Sequence, residues 1–190
     1  MKNIIKLALV GFLLFKSDLA YSSIQQTVLD ENQWHYAIDP YGSTASVNEN
    51  LINEGQVWVK FNRIPRLDKQ KNSWIEVIYT PDKPSLNAMK KINLTYKCDI
   101  PLIIKLSQKH YGKHGDKSYA HYQIKLPASK DWSTQEVALQ NFSRPDWTPK
   151  DSKDYGIVLE EVNAIYFTPS LTDEKGGEAT LQVSNVNLIQ

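Results

Sequence analysis

A sugar presents C–H faces that pack on Trp or Tyr rings, and hydroxyls that seek amides, carboxylates or other hydroxyls nearby. Three segments of this chain supply that mixture at alternating positions: Trp58 with Lys60, Trp74 with Glu76, and Tyr119 with His121 and Gln123. Each set falls on the side of its segment left over once the aliphatic residues are assigned inward. If the three segments share one sheet, Trp58, Trp74, Glu76, Tyr119, His121 and Gln123 make an aromatic and polar surface on which a glycan can dock. Parity leaves a second reading open for each ring, that of filler for a minor core under a loop.

Other reactive residue types carry less. His110, His114 and Asp116 have the spacing of metal ligands on a helix, but Gly112 and Gly115 argue against a helix there, and a solvated turn is the expectation. Glu76, Asp131, Asp146, Glu160 and Glu161 fall into no recognisable pair for acid–base chemistry, and no nucleophile elbow, zinc-protease or phosphate-loop motif is present. Cys98 is the single cysteine, which excludes an intrachain disulfide. Beside the apolar run Ile100 to Leu106 it reads as a small buried hydrophobe.

The elements that must position the rings are strands. Gln56 to Phe61 places Val57, Val59 and Phe61 on one face, Ser73 to Tyr79 places Ile75, Val77 and Tyr79 there, and Lys91 to Tyr96 places Ile92, Leu94 and Tyr96 there. Leu102 to Leu106 and Tyr119 to Leu126 flank His110–Lys117, whose glycines predict a hairpin connection; in the second arm Tyr122, Ile124 and Leu126 share a face. Short turns around Ser85–Lys90 and Lys153–Val162 are the sole helical expectations. Many strands with few helices predict an all-β fold, an antiparallel β-sandwich in a single domain.

Leu126-Pro-Ala-Ser-Lys-Asp-Trp132, then Val137-Ala-Leu139 and Phe142-Ser-Arg-Pro-Asp-Trp147, form a spaced pattern. Trp34-His-Tyr36 with Asp39 and Gly42-Ser43 precedes it, and Ala164-Ile-Tyr-Phe167 and Leu181 to Leu188 follow. With these the chain from about Trp34 onward resembles the β-jelly-roll domains of the galactose-binding-like superfamily, especially non-catalytic carbohydrate-binding modules. The resemblance implies a jelly roll that binds a polysaccharide or glycan without catalysis, and a structural role for Trp34, Trp132 and Trp147. It also implies a structural calcium ion between the first strand and an acidic residue of the last. Here Asn185 and Asn187 stand in the closing strand, so that anionic contribution is missing; Asp30, Glu31 and Asp39 could supply charge, and calcium stays open.

Lys2 and Lys6, the apolar run Leu7–Phe15 and the small residues Ala20, Ser22 and Ser23 follow the order of a secretory signal. The run is too short to span a bilayer. The expectation is a signal peptide over 1–22, a module over 23–190, and a secreted protein, extracellular or periplasmic. Lys and Arg number 22 against 21 Asp and Glu, and the first 22 residues hold Lys2, Lys6, Lys16 and Asp18, so the remainder is near neutral. Its charge therefore gives no argument for nucleic acid as partner. A secreted protein-interaction domain on the same fold is the alternative reading, and a glycoside-active enzyme the third.

Overall fold

The computed structural model describes residues 24–27, 29–68, 71–81 and 86–190; the expected signal segment lies outside them. Twelve strands carry the described chain: β1 Ile24–Thr27, β2 Trp34–Ile38, β3 Thr44–Ser46, β4 Ile52–Asn53, β5 Gln56–Arg63, β6 Ile75–Tyr79, β7 Lys91–Cys98, β8 Leu102–Gln108, β9 Tyr122–Leu126, β10 Ser129–Ala138, β11 Val162–Pro169 and β12 Gly177–Ile189. Single 3-10 turns follow β8 and β10 and precede β11. A seven-stranded sheet runs β10-β7-β12-β5-β3, with β1 on β12 and β4 on β5, and a five-stranded sheet runs β2-β6-β11-β8-β9. All pairings are antiparallel, which makes the expected sandwich.

The period-two pattern does the positioning, because a strand turns alternate side chains to opposite faces. Val57, Val59, Phe61, Ile75, Val77, Ile92, Leu94 and Tyr96 are fully buried between the sheets, and Leu126 joins them. Ile124, placed inward by parity, is only half-buried because β9 is an edge strand. Trp34 is core as expected, its ring 5.0 Å from Tyr79 and 5.5 Å from Phe167.

Three expectations need correction. Trp132 and Trp147, read as structural, are 39% and 61% exposed. The strand expected over Tyr119–Leu126 begins only at Tyr122, because Tyr119 adopts a left-handed φ of 53° that a strand cannot hold. The hairpin itself is present, β8 pairing with β9. Its connection is tight enough that a Cβ on Gly115 would collide with the His110 carbonyl.

Candidate functional site

The outer face of the five-stranded sheet carries a continuous row, His35–Ile78–Tyr166–Lys105–Gln123, set by the register of β2, β6, β11, β8 and β9. Lys105 Nζ reaches diagonally across β11 to Glu76 Oε1 at 2.6 Å, with both side chains a fifth exposed or less. Ser107 Oγ donates to the Tyr166 hydroxyl at 3.0 Å. This floor is polar but internally paired, so it offers hydroxyls, an amide and a neutralised charge pair to a ligand lying on it.

A cleft of about 650 Å³ opens over one end of this face, lined by Trp74, Ile103, Lys105, Gln123, Trp147 and Thr168 among others. Trp74 stands just before β6 and is 39% exposed. Its backbone is held by Asp39, which is 3% exposed at the end of β2. On the other side, Ser143 exchanges two backbone hydrogen bonds with Gln123, at 2.8 and 3.0 Å, and so runs as an extra rung along β9. The chain then turns at Pro145, whose carbonyl accepts from both the N–H and the hydroxyl of Thr148, and the turn presents Trp147. Strands β6 and β9 are three spacings, about 14 Å, apart across the sheet, and Trp147 follows the segment that flanks β9 on its far side.

The cleft has one charged end. Arg63 is 7% exposed. It donates to the Ser73 carbonyl at 2.5 Å, the Ser73 hydroxyl at 3.1 Å and the Leu171 carbonyl at 2.6 Å, and forms an ion pair with Asp173. A Cβ on Gly176, whose φ is 59°, would collide with the Arg63 carbonyl, so the glycine lets the two chain segments meet there.

The residues singled out in the sequence do not all come together. Trp74, Glu76 and Gln123 share the face just described. Trp58 does not: β5 belongs to the seven-stranded sheet, and the ring lies on the opposite side of the sandwich. Tyr119 is 54% exposed beyond the start of β9, and antiparallel order puts that start at the opposite end of the sheet from Trp74. His121 is buried at 3% exposure, edge-on to Tyr119 and Tyr166, with Nδ1 accepting the Gln108 N–H at 3.2 Å. Burial, with the Lys105 and Arg144 charges added, pushes His121 down to about 4 against the opposing pull of Asp116. It is therefore neutral near pH 7 and braces the Tyr166 ring of the floor edge-on.

Trp147, Lys105 and Arg63 were not found by alternation. Trp147 lies in Pro145-Asp-Trp-Thr-Pro149, where two prolines bracket a large ring outside any alternating run. That bracket is a loop signal, and a ring on a loop is a ring with access to solvent.

No protein-family model matches the chain, and no curated protein matches it. Solved structures do. The family 11 carbohydrate-binding module of a cellulosomal cellulase of Clostridium thermocellum superposes with a TM-score of 0.58 at 17% identity, over 88% of this chain and 96% of that one. The same family's module in complex with a beta-1,3-1,4-mixed-linked tetrasaccharide gives 0.57 at 16%, over 87% and 95%. A family 29 module complexed with mannohexaose gives 0.50 at 10%, over 88% and 92%. The chain has the carbohydrate-binding-module fold. At these identities the likeness is one of architecture, and ligand and site must be argued from this chain's own residues.

Among the described residues no group of three or more His, Cys, Asp or Glu is placed to hold a metal ion. His110 pairs with Glu161 and packs on Tyr155 at 4.4 Å, and Asp116 accepts from Ser118 and Ser152. Of the acidic residues considered for calcium, Asp39 is committed to the backbone around Trp74 and Asp30 accepts from Asn32. Burial pushes the Cys98 thiol up to about 11, as befits a core residue. No helix among the described residues is long and apolar enough to cross a membrane.

Proposed function

We propose that this chain is a secreted, non-catalytic carbohydrate-binding protein that docks a polysaccharide in the cleft over the five-stranded sheet. The observation that carries the reading is the placement of two solvent-exposed tryptophans, Trp74 and Trp147, in one cleft with Lys105 and Gln123 as polar partners. The rings take C–H faces, the Gln123 amide takes sugar hydroxyls, and the span between the rings suits a chain of several sugar units. Glu76 is held in an ion pair by Lys105, and Asp173, which lines the cleft, by Arg63, which favours binding over hydrolysis at these two carboxylates. The basic, apolar and small-residue order of residues 1–22 supports export.

Titration of the purified protein with mixed-linked β-glucan and with mannan, with reducing-sugar release followed in parallel, tests the reading. Saturable binding without hydrolysis is expected. In Trp74→Ala and Trp147→Ala the affinity should fall about tenfold or more, equivalent to about 1.4 kcal/mol, with the melting temperature nearly unchanged because both rings are exposed. Absence of affinity for every neutral polysaccharide tested would move the same fold to a protein-docking role.

A further inference from the structure

Trp58, displaced from the cleft, has neighbours of its own. On the outer face of the seven-stranded sheet the register sets Trp58 opposite Gln182 and Gln182 opposite Lys97. Lys97 in turn faces the irregular stretch of β10 between Ser129 and Ser133, and its Nζ lies 4.8 Å from the centre of the Trp132 ring. One row of four strands thus reads Trp, Gln, Lys, Trp, with the outer two backbones three strand spacings, about 14 Å, apart. In the next row Thr95 and Thr134 meet hydroxyl to hydroxyl at 2.9 Å, adding two more groups able to bond a sugar.

The charges on this face are uneven. Lys60 is paired with Glu178 at 2.9 Å and Lys91 with Glu136 at 2.6 Å. Lys97, between the two tryptophans, pairs with no carboxylate among the described residues and rests on an aromatic ring instead. A core has no use for such a row, since the aliphatic side of each of these strands already faces inward.

The geometry points to a second glycan-binding face, independent of the cleft and on the opposite side of the sandwich, selective for an acidic polysaccharide. Trp58 and Trp132 take sugar rings, Gln182 takes a hydroxyl, and Lys97 takes a carboxylate from the ligand. The near-neutral balance of the whole chain gives no hint of this cation set between two tryptophans. Because the two faces point away from each other, one molecule can hold a neutral and an acidic chain at once.

The test is affinity electrophoresis and titration with polygalacturonate on one arm and mixed-linked β-glucan on the other. The unmodified protein should bind polygalacturonate, and binding should weaken as NaCl rises from about 0.05 to about 0.5 M, as expected when one exposed charge pair contributes. Trp132→Ala and Lys97→Gln, both surface changes that leave the core intact, should each weaken polygalacturonate binding at least about tenfold and leave β-glucan binding unchanged. Trp132→Phe should restore part of the loss. Trp74→Ala and Trp147→Ala should leave polygalacturonate binding intact. If the unmodified protein does not retain polygalacturonate, if Trp132→Ala and Lys97→Gln have no effect, or if the cleft variants abolish the binding, the second face is refuted. Loss of β-glucan binding alone bears on the cleft and not on this face.

Discussion

Asp39 and Trp74 exchange a pair of hydrogen bonds: the Asp39 N–H donates to the Trp74 carbonyl at 3.0 Å, and the Trp74 N–H donates to Asp39 Oδ2 at 3.0 Å. The other oxygen, Oδ1, accepts the Tyr41 N–H at 2.7 Å. A buried carboxylate therefore sets the backbone of one wall of the cleft.

Burial would raise the Asp39 carboxyl, but hydrogen bonds from the Ser43 side chain and from the Tyr41, Trp74 and Ser43 backbones outweigh it and hold it below its ordinary value. The contribution to stability is complete above the unfolded value of about 3.9 and is lost as pH falls through the lower folded value. Asp39→Asn should cost about 1 to 3 kcal/mol at neutral pH, measured by denaturant unfolding. The gap to the parent should close on acidification below about pH 4. Glycan affinity should fall with it, since Trp74 loses its support.

His121 titrates the other way from a surface histidine. Its folded value of about 4 lies below the unfolded value of about 6.5, so the unfolded chain gains the proton first as pH falls. Its contribution to stability is full above about pH 6.5 and declines toward pH 4, by an amount on the order of 3 kcal/mol. His121→Asn keeps an acceptor near the Gln108 N–H and removes the titration. Its unfolding free energy should vary less across that pH range than the parent's, and an equal slope would show that His121 is not the group responsible.

Arg144 anchors the segment that presents Trp147. Its guanidinium donates to the Ala120 carbonyl at 2.9 Å, the Lys153 carbonyl at 3.1 Å and the Ser152 hydroxyl at 2.6 Å, and lies 4.0 Å from the Tyr111 ring centre. A lysine cannot reproduce that planar fork. Arg144→Lys should therefore weaken glycan binding through Trp147, while Arg144→Lys in a Trp147→Ala background should weaken it no further. Additive losses in that double-mutant cycle would separate Arg144 from the ring.

Phe61 and Leu94 are fully buried in the seven-stranded sheet. Truncation of either to Ala should cost about 2 to 5 kcal/mol, the range for emptying a large core side chain, read as a lowered denaturant midpoint. Unchanged midpoints would mean that the core is not where these strands place it.

The inward faces of β5, β6 and β7 were legible because alternation is local: Val57, Ile75 and Leu94 announce their burial within five residues of sequence. Sheet membership was not legible, because pairing partners are chosen across the whole chain. Trp58 and Trp74 carry the same parity signal, yet β5 and β6 are consecutive strands in different sheets, which sends their rings to opposite sides of the molecule. His121 shows a second limit. Parity places it outward with Gln123, but the left-handed turn at Tyr119 and the packing of Tyr111 and Tyr166 around it bury the ring. The signal for Trp147 is its two flanking prolines, Pro145 and Pro149, which mark a loop rather than a strand face.

The irregular stretch in β10 has a consequence for how molecules meet. β10 ends its sheet, with β7 on one side and, among the described residues, no strand on the other, the template on which a strand from another molecule can add. Cys98 and Tyr96 are two residues apart, whereas their partners Ser129 and Ser133 are four apart, so this border is kinked between Ser129 and Ser133. The kink turns Lys130, Asp131 and Trp132 to solvent and breaks the straight ladder that head-on growth into filaments would require.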